Sequence, residues 1–236
     1  MITYVLGLLI SLGAGAWFIY NPPKDKQWIY LFLSAGGAYL IAIIFTHILP
    51  ELFEVLPGKA GIVLLIGFMI QILLENYSKG IEHGHGHATN DHRALYISFV
   101  ALCIHALVEG MPLASLISET HIGFDRQLAL GIMLHKIPVA FTLATLLVNS
   151  GINKNKAFVF VFTFIACTVA GSGLQILIGN QYAEMAEESM FISLGLTIGI
   201  LLHVSTTILF ESNDGHKLNP SKFVVIILGL LLGIFT

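Results

Sequence analysis

Eight long apolar stretches limit what this chain of 236 residues can fold into. A hydrocarbon core about 30 Å thick is crossed by roughly 20 apolar residues in an α-helix. The composition agrees, because 11% of the residues are charged and the mean hydropathy is +0.85. We therefore expect an all-α membrane protein that forms a single domain over residues 1–236. The predicted spans are 2–20, 28–50, 60–76, 94–117, 127–148, 157–178, 191–210 and 221–235.

Basic residues lie mostly on one side of these spans. Short loops rich in lysine and arginine are retained on the cytoplasmic side during insertion. Lys59 and Arg126 fall on the opposite side, and Lys136 lies within a span. The bias predicts a multi-pass protein of the cell (inner) membrane with both termini outside the cytoplasm. The majority side carries Lys24, Lys26, Lys79, Arg93, Lys154, Lys156, Lys217 and Lys222.

Two pairs of similar segments indicate an internal repeat. Residues 46–51 read Thr-His-Ile-Leu-Pro-Glu and residues 206–211 read Thr-Thr-Ile-Leu-Phe-Glu. These segments end the second and seventh spans, which cross in opposite directions. A second similarity links residues 105–116 with 135–146. We expect an inverted-repeat bundle of three, two and three helices (3+2+3), an arrangement found in many secondary transporters.

Ionisable residues inside the fourth and fifth spans mark the candidate site. His105 and Glu109 are four residues apart, so their side chains share one face of a helix. His135 supplies a third ligand if the two helices pack side by side, as their short connection favours. Two imidazoles and a carboxylate suit Zn²⁺, and also Fe²⁺, Mn²⁺ or Co²⁺. The prediction is a metal site with an open position, and a buried hydrogen-bond network is the alternative.

Other polar residues lie where an ion pathway would open. They are His47, Glu51, His203, Glu211 and Asp214. Carboxylates at helix ends are often only solvated, and a histidine among apolar residues is often a satisfied core residue. We therefore keep those interpretations beside the pathway hypothesis.

A histidine-rich loop at residues 78–93 follows the third span. Loops of this composition bind transition metals loosely, and its glycines argue against fixed structure. A plain flexible linker is the alternative. The loop is expected on the cytoplasmic side, with the metal-binding residues His83, His85, His87 and His92.

Three motifs and this loop carry a family resemblance. Residues 105–110 read His-Ala-Leu-Val-Glu-Gly, residues 135–140 read His-Lys-Ile-Pro-Val-Ala, and residues 47–51 read His-Ile-Leu-Pro-Glu. Together they resemble the ZIP (Zrt/Irt-like) family of divalent-metal transporters. The resemblance implies eight helices with extracytoplasmic ends, import of metal into the cytoplasm, and a homodimer.

The chain departs from this family at a second metal position. Many members place an asparagine and two acids where Ala106, Lys136 and Val139 stand. We therefore predict a single-metal site in which the Lys136 ammonium takes the place of the second ion and pairs with Glu109. Metal binding would displace Lys136 or expel its proton, which would couple metal occupancy to protonation. The alternative is a Lys136 side chain that extends toward an aqueous vestibule.

The resulting hypothesis is a membrane transporter of a divalent transition metal, zinc foremost, and not an enzyme. An intramembrane zinc-dependent hydrolase would use the same ligands with a metal-activated water. A metal-sensing membrane receptor would centre on the histidine-rich loop. The expected partners are membrane lipid and the transported metal ion, with no organic cofactor and no nucleic acid.

Overall fold

A computed structural model of the chain describes residues 2–22, 27–78, 81, 91–117, 125–210 and 220–236. Over these ranges the chain is all-helical, and the predicted fold class is confirmed. Eight helices, numbered α1 to α8, are formed by the described residues. They are α1 Ile2–Tyr20, α2 Gln27–Val55, α3 Ala60–Ser78, α4 His92–Gly110, α5 Asp125–Asn149, α6 Lys154–Gln181, α7 Ala186–Phe210 and α8 Pro220–Phe235.

Length and apolarity set α2 to α7 apart from the two terminal helices. Among the described residues, six helices are long and apolar enough to cross a membrane. The remaining two are shorter apolar helices at Tyr4–Tyr20 and Pro220–Phe235. Of these six helices, α5 is the most buried. Inside the bundle, 83% of its most apolar 18-residue stretch is buried, against 22% for α3. The helix that carries His135 therefore lies at the centre of the protein.

Local sequence signals explain several helix ends. The Asp91 side chain accepts hydrogen bonds from the backbone N–H groups of Arg93 and Ala94, so it caps the start of α4. Asn153 caps α6 through the N–H of Asn155. Gly151, with φ of 77°, follows α5 in the left-handed conformation that glycine adopts without a steric cost.

The second helix contains a π turn at Ile44–Ile48. Pro50, which lacks an N–H donor, lies two residues after Ile48, in the first turn of the α-helical segment Leu49–Val55. The wider turn lets the helix continue beyond the predicted end at Pro50. The internal similarity of residues 46–51 and 206–211 predicts His47 at the end of a helix, but in the structure it lies inside the π turn.

The fourth helix ends earlier than predicted. The predicted span continues to Ile117, but α4 ends at Gly110 and a 3₁₀ helix follows at Pro112–Leu116. Pro112 has no N–H to offer the carbonyl of Val108. That carbonyl instead accepts from the Met111 N–H at 3.1 Å and from the Thr197 hydroxyl at 2.9 Å. Pro138, by contrast, lies inside α5 without ending it.

Helix pairs give the bundle its order. The most extensive contacts join α2 with α8, α3 with α7, α1 with α5, and α4 with α6. Glycines allow α4 and α6 to approach closely, since a Cβ on Gly110 would overlap the carbonyl of Thr168 and one on Gly171 would overlap the carbonyl of Leu107. This contact lies next to Glu109 and fixes the end of α4 against α6.

Candidate metal site

The packing of α4 and α5 brings together the three predicted ligands. His105, Glu109 and His135 each offer a ligand atom within 4.8 Å of the others. All three are buried, with relative exposures of 1%, 1% and 2%. Within the described ranges, this is the group of three or more His, Cys, Asp or Glu residues with a geometry that could hold a metal ion.

The spacing of these atoms is close to that of a tetrahedral ion site. His105 Nε2 lies 3.8 Å from Glu109 Oε2, and the rings of His105 and His135 have centroids 5.9 Å apart. Ligands about 2.1 Å from a tetrahedral zinc ion are roughly 3.4 Å from each other. Small side-chain adjustments therefore suffice for all three to reach one ion. Three protein ligands leave a position open for water.

Gln71 on α3 adds a contact to this group. Its Oε1 lies 3.0 Å from His105 Nδ1, and both side chains are buried. When Nδ1 donates to this oxygen, the lone pair of the imidazole is on Nε2, the nitrogen that faces Glu109. Partners of this kind orient metal-binding histidines and fix their tautomer. The sequence showed Gln71 as an isolated amide in an apolar helix, but no spacing rule links it to α4.

Lys136 is paired with the carboxylate of the site. Its Nζ lies 2.5 Å from Glu109 Oε2, and the two side chains are 0% and 1% exposed. The ammonium also lies 4.8 Å from the centre of the Phe164 ring. The expected pairing with Glu109 is thus present, and the side chain does not extend toward solvent. Glu109 Oε1 has no hydrogen-bond partner among the described residues.

The other two positions of a second metal site are apolar. Ala106 and Val139 are buried at 0% and 1% exposure and belong to the hydrophobic core. Neither side chain can bind a cation. The groups that could bind a metal here are therefore two imidazoles and one carboxylate, and the Lys136 ammonium lies beside them.

Three of the predicted pathway residues, His47, Glu51 and His203, are described by the structure, and none of them belongs to the three-ligand group. His47 is partly buried, and its Nδ1 contacts the Thr46 hydroxyl at 2.6 Å. Glu51, also partly buried, follows it in α2. His203 on α7 has its Nδ1 3.3 Å from Glu75 Oε2 on α3. Glu75 is one helical turn from Gln71, so α3 presents both residues toward the bundle.

Several predicted residues fall outside the described part of the chain. They are His83, His85, His87, Glu211 and Asp214. His92, at the end of the predicted loop 78–93, is described and begins α4 as an exposed residue. Of the four predicted loop ligands, His92 is thus the one that the structure describes.

Ser172, a buried hydroxyl on α6, has a packing role. It donates to the Gly110 carbonyl at 2.7 Å, and the Tyr4 hydroxyl lies 2.9 Å from it. Both contacts join helices. No contact of Ser172 with a histidine is found in the described ranges, so the arrangement of a serine nucleophile with its base is not formed there.

Comparisons with known proteins match this chain to zinc transporters. The sequence profile of the ZIP zinc transporter family matches residues 81–236. Zinc transporter ZIP9 of Micropogonias undulatus is 23% identical over 201 residues, which cover 76% of this chain and 64% of that protein. Zinc transporter ZIP9 of Xenopus tropicalis is 24% identical over 179 residues, covering 70% of this chain and 57% of that protein. The chain thus spans less than two thirds of the length of these relatives.

Proposed function

Since the chain belongs to the ZIP zinc transporter family, we propose that it transports a divalent transition metal across a membrane into the cytoplasm. Zinc is the foremost substrate, because imidazole and carboxylate ligands in a tetrahedral arrangement suit it. Iron, manganese or cobalt would use the same ligands with different affinity. The observation that carries the proposal is the buried group of His105, Glu109 and His135, with ligand atoms within 4.8 Å of one another.

A single metal ion is the proposed occupancy. With Ala106 and Val139 apolar and the Lys136 ammonium beside Glu109, a second cation would lack ligands and meet a like charge. An open coordination position then lets the ion exchange its protein ligands for water. A closed cage of four protein ligands would instead hold the ion as part of the structure.

The pairing of helices supports the proposed 3+2+3 inverted repeat. Exchanging helices α1, α2 and α3 with α6, α7 and α8, and α4 with α5, converts the pair α1·α5 into α6·α4. The same exchange converts α2·α8 into α7·α3. All four pairs are among the most extensive contacts of the bundle. Repeats of opposite topology are a common basis of alternating access.

The pathway proposal uses the polar residues on either side of the cluster. His47 and Glu51 on α2 would pass ions toward the three ligands. Glu75 and His203 would receive them between α3 and α7, where their side chains lie 3.3 Å apart. Glu211 and Asp214 would follow, and the histidine-rich loop would bind released metal loosely.

We further propose the setting in which transport takes place. The bias of basic residues supports a multi-pass protein of the cell (inner) membrane with both termini outside the cytoplasm. The apolar outer faces of the helices would contact membrane lipid. A homodimer is proposed on the family resemblance alone.

The direct test is uptake of radioactive zinc into proteoliposomes that contain the purified protein. Glu109→Gln removes the anionic ligand with little change in volume and is expected to abolish uptake. Glu184→Gln, at an exposed position, is the matched control and is expected to leave uptake unchanged. Equal uptake by the native protein and Glu109→Gln would overturn the proposed site, and no uptake by the native protein would overturn the transport function.

A further inference from the structure

The Lys136–Glu109 pair is a buried ion pair inside the proposed metal site. Both side chains are essentially inaccessible, at 0% and 1% exposure, and Nζ lies 2.5 Å from Oε2. The two charges cancel, so the metal-free pair has no net charge. In a low-dielectric interior an ion pair costs much less than an isolated charge.

The ammonium contacts the carboxylate oxygen that a metal would use. Glu109 Oε2 is the oxygen 3.8 Å from His105 Nε2, on the side of the proposed ion. A divalent ion bound to this oxygen would lie close to the ammonium, and the two cations would repel each other at short range. Lys136 and the metal therefore compete for the charge of one carboxylate.

Phe164 on α6 provides the ammonium with a second neighbour. Nζ lies 4.8 Å from the centre of the ring, within the distance at which a cation is attracted to an aromatic face. This contact does not use Glu109. The lysine side chain can thus keep a favourable contact when the metal takes the carboxylate.

A carrier that delivers substrate must change conformation once loaded and once empty. The empty step is difficult if it leaves a lone carboxylate buried in the protein, because an unpaired buried charge is strongly unfavourable. Building on the transport function proposed above, we propose that Lys136 neutralises Glu109 in the empty carrier and thereby permits its return. The ammonium acts as a tethered substitute for the substrate and makes the protein a net transporter, not an exchanger.

The test separates two fluxes in proteoliposomes with the full chain. Net uptake of radioactive zinc into vesicles without internal zinc requires return of the empty carrier. Exchange of external radioactive zinc for internal unlabelled zinc does not. Lys136→Met is expected to lower net uptake by about 100-fold, since an unpaired buried carboxylate then opposes the return, while exchange continues. Lys59→Met removes an exposed lysine, 65% accessible and paired with Glu188, and is expected to change neither flux.

The two fluxes distinguish a failure of the inference about Lys136 from a failure of the transport function. A parallel loss of net uptake and exchange in Lys136→Met would show a role of Lys136 in structure or metal binding and would overturn the inference. Unchanged net uptake would overturn it as well. If the native protein shows neither flux, the transport function itself fails.

A second variant and a measurement on the native protein guard against misfolding. Lys136→Gln, which keeps a polar side chain beside Glu109, is expected to show the same separation of the two fluxes. The native protein is expected to carry out net uptake at a rate comparable with exchange. A native protein that exchanges zinc but does not accumulate it would contradict the proposed role of Lys136 without contradicting transport.

Discussion

Gln71 on α3 and His105 on α4 are joined by a hydrogen bond of 3.0 Å between Oε1 and Nδ1. The bond holds the imidazole so that Nε2 faces Glu109. We expect Gln71→Leu to weaken zinc binding about tenfold, because loss of such a partner releases the ring and its tautomer. Competition with a zinc-binding dye in detergent solution measures this change.

The control for this variant is Gln175→Leu. Gln175 is also a buried amide, but its Nε2 donates to Ser189 between α6 and α7. Its replacement is expected to alter stability without altering zinc affinity. An identical effect of both substitutions on affinity would mean that Gln71 supports the fold and not the histidine.

The close contact of α4 and α6 predicts a steric effect at one glycine of α6. In Gly171→Ala the new methyl group would overlap the Leu107 carbonyl, and the backbones must separate. We expect the melting temperature to fall by several degrees, since overpacking costs about 1–3 kcal/mol. In Gly173→Ala no heavy atom lies within 4 Å of the added Cβ, so this variant is the matched control. Equal melting temperatures for the two variants would refute the close contact.

The hydroxyl of Thr197 compensates for the proline that ends α4. Thr197→Val keeps the side-chain shape but removes the donor to the Val108 carbonyl. We expect a loss of about 1 kcal/mol in the free energy of unfolding. Thr163→Val is the control, because Thr163 donates to the Val159 carbonyl on its own helix. Thermal unfolding in detergent compares the two, and a larger loss in Thr163→Val would contradict this role of Thr197.

Loss of the Glu75–His203 pair is expected to change the rate of zinc uptake but not the affinity for zinc. If this pair belongs to the pathway, Glu75→Gln slows zinc uptake several-fold but leaves zinc affinity at the three-ligand cluster unchanged. Initial rates of uptake and equilibrium binding are measured on the same preparation. Glu187→Gln, at an exposed position, serves as the control for loss of one carboxylate. Unchanged uptake by Glu75→Gln would remove the pair from the proposed pathway.

Sequence alone located the helices and the three clustered residues. Apolar length indicates a span directly, and the four-residue spacing of His105 and Glu109 places both on one helix face. The proximity of His135 followed from adjacency of the two helices. The Lys136–Glu109 pair could be anticipated because a lysine in an apolar span has few other partners.

Other features depend on contacts that no local pattern encodes. Gln71 reaches His105 from a different helix, and His203 meets Glu75 across the α3–α7 contact. The end of α4 at Gly110 depends on how the freed Val108 carbonyl is satisfied, and its partner, Thr197, is distant in sequence. Similarly, Pro50 predicts an irregularity in α2, but the proline alone does not indicate that this irregularity is a π turn.

The π turn at Ile44–Ile48 sets the direction in which the residues beyond it face. A π turn holds about one residue more than an α turn, and successive residues of an α-helix are rotated by about 100°. If the same residues wound as a regular α-helix, Leu49–Val55 would be rotated by about that angle relative to Gln27–Ile43. Glu51 would then point elsewhere although no side chain had been substituted. The winding of the backbone at one turn, and not only residue type, therefore sets the direction of Glu51.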